Sequence, residues 1–255
     1  MGQLSDAFVF EPESNSWLHL TPGGVRFPPR TGHAACAVGA HSVVVFGGWR
    51  LRPCAEARPC GQFLADLHVL RSLPVAADEA SAPAPPEPFG AWAGQTSWER
   101  PAVDGMPPLP RRGHSMTALH AVTPAAARDE TDAGEEEGEG EVQIVLLFGL
   151  GWWLNSTTHE SHAMYLNDVH ILSHVNATWA WRHLRVQGSP PKARASHSAT
   201  LTPDGQRLLV FGGMDEAGPL ADAHLLDLSH EPPIWWQLHP VGQAPSEGEG
   251  RVREG

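Results

Sequence analysis

Val43-Val44-Val45-Phe46-Gly47-Gly48 is an apolar run stopped by two glycines, and the chain writes it three times. The other copies are Ile144-Val145-Leu146-Leu147-Phe148-Gly149 and Leu208-Leu209-Val210-Phe211-Gly212-Gly213. Outward from each run the same landmarks recur. Upstream stand Arg30 and His33, Arg111 and His114, and Arg194 and His197, thirteen and sixteen residues after Trp17, Trp98 and Trp181. Downstream comes a leucine-bounded acidic segment holding Asp66, Asp168 or Asp222. Three identical spacings in one chain mark an internal repeat.

The runs do not alternate, so both faces of those strands are expected to be covered. Val and Ile suit strands, and glycine permits the left-handed turn that sends the chain back. Further strands are expected before each run, over 33–38, 114–119 and 197–201, at each aspartate, and at each tryptophan, as in Ser16-Trp17-Leu18-His19-Leu20. Sheets of four short antiparallel strands with two apolar faces must stack on one another, and a radial stack is a propeller. The expected fold class is therefore all-β, a partial propeller of about three and a half blades. Residues 6–20 read as half a blade, and 30–102, 111–187 and 194–241 as full ones. Trp236 is followed by Glu249 and Val252 where Arg and His are due, so 242–255 reads as a frayed tail.

These residues resemble kelch repeats. Arg30-Thr31-Gly32-His33 with Phe46-Gly47-Gly48 fits that family's pattern closely. In the second unit Arg111-Arg112-Gly113-His114 fits, with Leu150 in place of the second glycine after Phe148 and Gly149. In the third, Arg194-Ala195-Ser196-His197 has serine for glycine and Gly212 and Gly213 follow Phe211. The resemblance implies the fold and leaves the role open, because one propeller scaffold hosts many functions. Kelch-like enzymes supply a contrast. The single tyrosine, Tyr165, excludes radical-copper chemistry, and no Glu-x3-Asp-x3-His triad occurs.

The formal charge of −12 argues against nucleic acid and anionic membranes as partners. Eight acids fall in an insert at 124–141, expected to be disordered, and a Pro/Ala-rich insert occupies 75–96. Three cysteines are too few for a disulfide framework, and pairing of Cys54 with Cys60 stays open. No stretch has the ~20 apolar residues of a membrane helix, so a cytoplasmic protein is expected.

His33, His114 and His197, Asp66, Asp168 and Asp222, and Trp17, Trp98, Trp181 and Trp236 recur with the repeat and read as structural. Trp179 and Trp235 stand outside the pattern with no assigned role. The candidate working surface is a pair of loops, 49–63 and 150–165, expected to lie side by side. They offer Trp49, Arg50, Arg52, Arg58, Trp152, Trp153, His159 and His162 as protein-partner anchors. A zinc site from Cys54, Cys60, His159 and His162 fits poorly, because the cysteines are too far apart in sequence. No catalytic, metal or cofactor set is expected. The reading is a protein-interaction module or scaffold, with self-association through uncovered terminal blades. The alternatives are a carbohydrate-processing or small-molecule-binding enzyme, or a fragment without function.

Overall fold

The computed structural model of the chain describes residues 3–52, 60–72, 89–119, 142–154 and 161–239. Residues 75–88 of the 75–96 insert, the insert at 124–141, the tail 242–255, Arg58, Cys54 and His159 lie outside the described residues, whereas 89–96 lie within them. Within them the chain is all-β, and Gly90–Ala93 forms a 3-10 turn. No helix among the described residues is long and apolar enough to cross a membrane.

The chain opens on a two-stranded half-blade, β1 (Ala7–Glu11) against β2 (Ser16–Leu20), and runs on through β3 (Gly23–Gly24). Blade one is β4 (Ala34–Val38), β5 (Ser42–Arg52), β6 (Cys60–Ser72) and β7 (Thr96–Glu99). After β8 (Val103–Gly105), blade two comprises β9 (Arg111–Arg112), β10 (Ser115–Leu119), β11 (Val142–Leu154), β12 (Ser161–Val175) and β13 (Thr178–His183). After β14 (Gln187–Gly188) comes blade three. It holds β15 (Ser198–Leu201), β16 (Arg207–Phe211), the small hairpin β17 (Met214–Asp215) with β18 (Gly218–Pro219), β19 (Ala223–Asp227) and β20 (Ile234–Leu238). The four main strands of each blade pair antiparallel in chain order.

A fifth strand joins each blade. β3 pairs in parallel with β7, β8 with β13, and β14 with β20, so each connector completes the sheet of the following blade. Its glycine sits against that blade's tryptophan. A Cβ on Gly24, Gly105 or Gly188 would fall 2.3, 2.3 or 2.2 Å from the carbonyl oxygen of Trp98, Trp181 or Trp235. All three glycines are left-handed, so the close approach requires glycine twice over.

The core lies between blades. Val44, Phe46, Leu67 and Val69 of blade one meet Ile144, Leu146, Leu172, Trp179 and Trp181 of blade two. Val145, Leu147, Phe148, Val169 and Ile171 meet Leu208, Val210, Leu226 and Trp235 of blade three. The half-blade covers blade one through Leu20, packed with Val45, Leu70 and Trp98. Each tryptophan thus faces the preceding blade.

Three expectations change. Trp235, 1% exposed, is the packing tryptophan of blade three, and Trp236 is 54% exposed. Trp235 pairs with Leu226 as Trp98 pairs with Leu70 and Trp181 with Leu172, which puts Trp236 one residue on, facing out. Trp179 also has a place, buried and stacked on His174 at 4.3 Å. In blade two the bulge falls at Phe148, not Gly149. Phe148 takes the position of Gly47 with φ 58°, and Gly149 takes that of Gly48, so no glycine is lost at Leu150. The Phe148 ring, fully buried, packs on His197 and Trp235 of blade three.

Candidate functional site

Every blade is built around one guanidinium. Arg30 donates to both carboxylate oxygens of Asp66 at 2.7 and 2.9 Å and to Gly47 O at 2.9 Å. Arg111 grips Asp168 at 2.7 Å twice and Phe148 O at 2.8 Å. Arg194 grips Asp222 at 2.6 and 2.8 Å and Gly212 O at 2.9 Å. In each case Nε donates to the carbonyl two residues back. Burial raises the carboxyls of Asp66 and Asp168, but the arginine hydrogen bonds and charge outweigh it and hold both low. Asp222, held chiefly by its Arg194 hydrogen bond, falls to about 2. A histidine two residues on completes each set, His170 Nε2 lying 2.9 Å from Asp168 and His224 Nε2 3.0 Å from Asp222. The buried arginine fastens the aspartate strand in all three full blades, while in blade one His68 Nδ1 stays 3.6 Å from Asp66.

The second histidine row, His33, His114 and His197, sits at the blade junctions beside a ladder of backbone hydrogen bonds. Gly113 N donates to Gly32 O at 2.9 Å, and Ser196 N donates to Gly113 O at 2.7 Å. Ser196, in the glycine position, takes φ 57°. Gly47 and Gly48 are needed here, since Cβ atoms on them would meet Arg111 O at 2.9 Å and Thr31 O at 3.0 Å.

The open surface lies at the far end of the long hairpins. The stretches expected as loops are strand over most of their length: β5 and β6 stay paired to Arg52↔Cys60, and β11 and β12 to Leu154↔Ser161. The Gly-Gly bulge redirects the ladder instead of ending it. Blade three has only the short β17–β18 hairpin there. The two long hairpins touch, with Phe63 and Trp152 edge to face at 5.5 Å. The Arg112 guanidinium lies 5.8 Å from the ring centres of both Trp49 and Phe63. Trp49 packs over Gly61, where a Cβ would come 2.4 Å from its Nε1. Gln62 Oε1 accepts from Arg50 at 2.9 Å and Arg52 at 3.3 Å. Gln3 ties the N-terminal segment to the same hairpin through Trp49 O and Leu51 N, at 2.9 and 2.8 Å.

The structure therefore places Trp49 with Trp152 on one face of the hairpins, and Arg50 and Arg52, bonded to Gln62, on the reverse face, with the Trp153 and His162 backbones paired beside them. Leu51, Arg112 and the buried Phe63 lie with Trp49, Gln62 lies with Arg50, and none of them was singled out from sequence. Arg112 lay hidden in the repeat motif, one residue beyond the buried Arg111. Beyond the bulges, the described hairpin residues Trp49–Arg52, Cys60–Phe63, Leu150–Leu154 and Ser161–Tyr165 include no Asp or Glu. Across the described residues acids and bases are equal in number, so the −12 resides in the segments outside them. The largest acidic group lies between Leu119 and Val142, at the end of β11 opposite the hairpin.

Repeated Arg–Asp clamps, glycine bulges and stacked four-strand units are similar to those of kelch-repeat β-propellers, in three full blades and a half-blade among the described residues. The family description "KLHDC2/KLHL20/DRC7 Kelch-repeats domain" matches residues 147–252. Adagio-like protein 3 of Oryza sativa subsp. japonica is 29% identical over 235 residues, 92% of this chain and 28% of that protein. Adagio protein 3 of Arabidopsis thaliana is 28% identical over 234 residues, 91% of this chain and 28% of that protein. The chain thus spans 28% of the length of either relative. Among solved structures, a chain in the cryo-EM structure of RAG in complex with one melted and one unmelted RSS superposes with TM-score 0.52. It is 10% identical and covers 91% of this chain and 58% of that one, a likeness of fold alone. Kelch domains generally mediate protein–protein binding.

Proposed function

We propose that this chain is a cytoplasmic protein-interaction module that seats its partner on the paired hairpins of blades one and two. The observation that carries this reading is the face formed by Trp49, Trp152 and Arg112 over the buried Phe63, across the seam between blades. Aromatic rings held edge to face and an arginine lying over them supply contact area at little entropic cost, as hot spots do. Arg50 and Arg52 stand on the reverse of the blade-one hairpin, with no acidic residue among the described residues beyond the bulges, which favours a partner that wraps the hairpin and presents carboxylates.

The test is quantitative affinity enrichment with the whole chain against an Arg112→Ala, Trp152→Ala variant, followed by reconstitution with each protein that the variant loses. Both side chains are exposed, so the variant is expected to melt with the wild type. Affinity for the authentic partner should fall about a hundredfold, from two anchors at about 1–2 kcal/mol each. Partners retained at full affinity by the variant would remove the hairpin face as the binding site.

A further inference from the structure

From each connector glycine to the next clamp arginine the chain runs five residues, 25–29, 106–110 and 189–193. The third position turns inward each time, as the half-buried Phe27 and the buried Pro108 and Pro191. In blade two the loop is Met106-Pro107-Pro108-Leu109-Pro110, and Arg111 and Arg112 follow. Proline fixes its own φ at about −65° and drives the residue before it out of the helical region. Met106, Pro107 and Leu109 each precede a proline, so all five positions are confined to polyproline II. Residues 106–109 accordingly lie outside any strand, helix or turn. A polyproline II helix has about three residues per turn, and burial follows that period. Pro108 and Arg111 form a buried edge. Met106 and Leu109, 85% and 48% exposed, form a second edge, and the exposed Pro107 and Pro110 a third. The fold uses only the first edge, and the other two make an apolar ridge packed into none of the three cores. The loops of blades one and three have two adjacent prolines each and no prolines three apart.

We infer that residues 106–112 are a ligand for a partner domain of the SH3 type, one with an aromatic-lined groove and an acidic rim. Such grooves take polyproline II segments with prolines three apart, and a preset conformation keeps the ordering cost of docking low. Pro107 and Pro110 enter the groove with Met106 and Leu109 beside them, while the buried edge stays seated on blade two. Docking therefore disturbs nothing that holds the fold. Arg112 stands two residues after Pro110, exposed, with its guanidinium 5.8 Å from the ring centres of Trp49 and Phe63. There it meets the carboxylates of the rim in a charge-assisted contact. Asp104, at the other end of the ridge, sets the direction in which the segment lies along the groove. Two more proline pairs have this spacing, 83/86 and 85/88, and neither has a basic residue two positions on. The inference stands apart from the hairpin face, although Arg112 serves both.

The probe is a panel of purified SH3 domains chosen for binding free Pro-x-x-Pro-x-Arg peptides, each titrated with the whole protein and followed by NMR of the domain. Saturable shifts at the groove aromatics are expected for at least one domain. A Pro107→Ala, Pro110→Ala variant should weaken that binding about tenfold or more, and Arg112→Gln by about tenfold. Leu109→Asp tests the same ridge with its prolines intact, should the double variant melt early. Pro83→Ala with Pro88→Ala breaks both other proline pairs and should change nothing. If the whole panel ignores the protein while binding a peptide of residues 104–113, the ridge is not presented and the inference falls. It falls equally if binding survives the changes at 107, 109 and 110, or is lost with those at 83 and 88. The Pro107→Ala, Pro110→Ala variant keeps Trp49, Trp152 and Arg112, so a partner of the hairpin face is retained by it and the two readings fail separately.

Discussion

Arg111 shows what a single residue does in this fold. Its side chain is fully buried, a location that costs several kcal/mol in lost hydration unless every donor finds a partner. Asp168 takes two bonds, and carbonyls at Leu109 and Phe148 take one each, which satisfies four of the five N–H groups. The clamp therefore fixes the left-handed bulge as well as the aspartate strand, and lysine, a point charge without a fork, is no substitute. The junction histidines work in the other direction. Burial, reinforced by Arg111, pushes His114 down to about 3. Burial and Arg194 take His197 to about 4, and burial takes His68 to about 4 against the pull of Asp66. Below pH ~6.5 the unfolded histidines bind protons while the folded ones stay neutral, so stability falls as pH drops from there toward 4. The clamped aspartates keep their contribution until pH passes below their ordinary value near 4. Between pH 6.5 and 4.5 the histidines govern alone. Denaturant melts across that window should show His114→Gln reducing the slope by about 1.4 kcal/mol per pH unit. An unchanged slope would mean that His114 is protonated in the fold.

At the scale of the element, the connector strands decide how blades join. Gly105 has φ 77°, and a Cβ there would lie 2.3 Å from Trp181 O. Gly39, at φ 60°, has nothing within 4 Å of a Cβ. Gly39→Ala therefore should cost about 1 kcal/mol from backbone strain alone, whereas Gly105→Ala should cost about 3 kcal/mol or more by chemical denaturation. Equal losses would show that the close approach is not what demands glycine. Two-residue strands carry no apolar pattern, which is why these connectors are silent to periodicity. Their glycines were nonetheless legible, as each of Gly24, Gly105 and Gly188 follows Trp17, Trp98 or Trp181 by seven residues. The inner apolar strands and the aspartate strands were readable because burial on both faces leaves unbroken apolar runs. The hairpins were misread as loops because glycines that usually stop a strand here only bend it. In blade three the adjacent tryptophans hid the register until pairing showed which one faces the preceding blade.

The molecule as a whole has two open faces. On blade three Leu209 and Phe211 are 38% and 37% exposed, although Val44 and Phe46 at the same positions of blade one are sealed by blade two. On the half-blade Phe8, Phe10 and Trp17 are exposed. Apolar faces of this kind recruit neighbours. A Leu209→Lys, Phe211→Glu variant is expected to keep its melting transition, bind less 1-anilinonaphthalene-8-sulfonate and stay dispersed at concentrations where the wild type associates. Unfolding of that variant would show these side chains to be core. The parallel connectors carry a further meaning for how the chain is made. β3 finds its partner only when β7 has been synthesised, and β8 waits in turn for β13. Each blade is thus sealed by a strand already waiting from the one before. Assembly can then proceed from the N-terminus as the chain leaves the ribosome, each described strand pairing within its own blade or with the connector just before it.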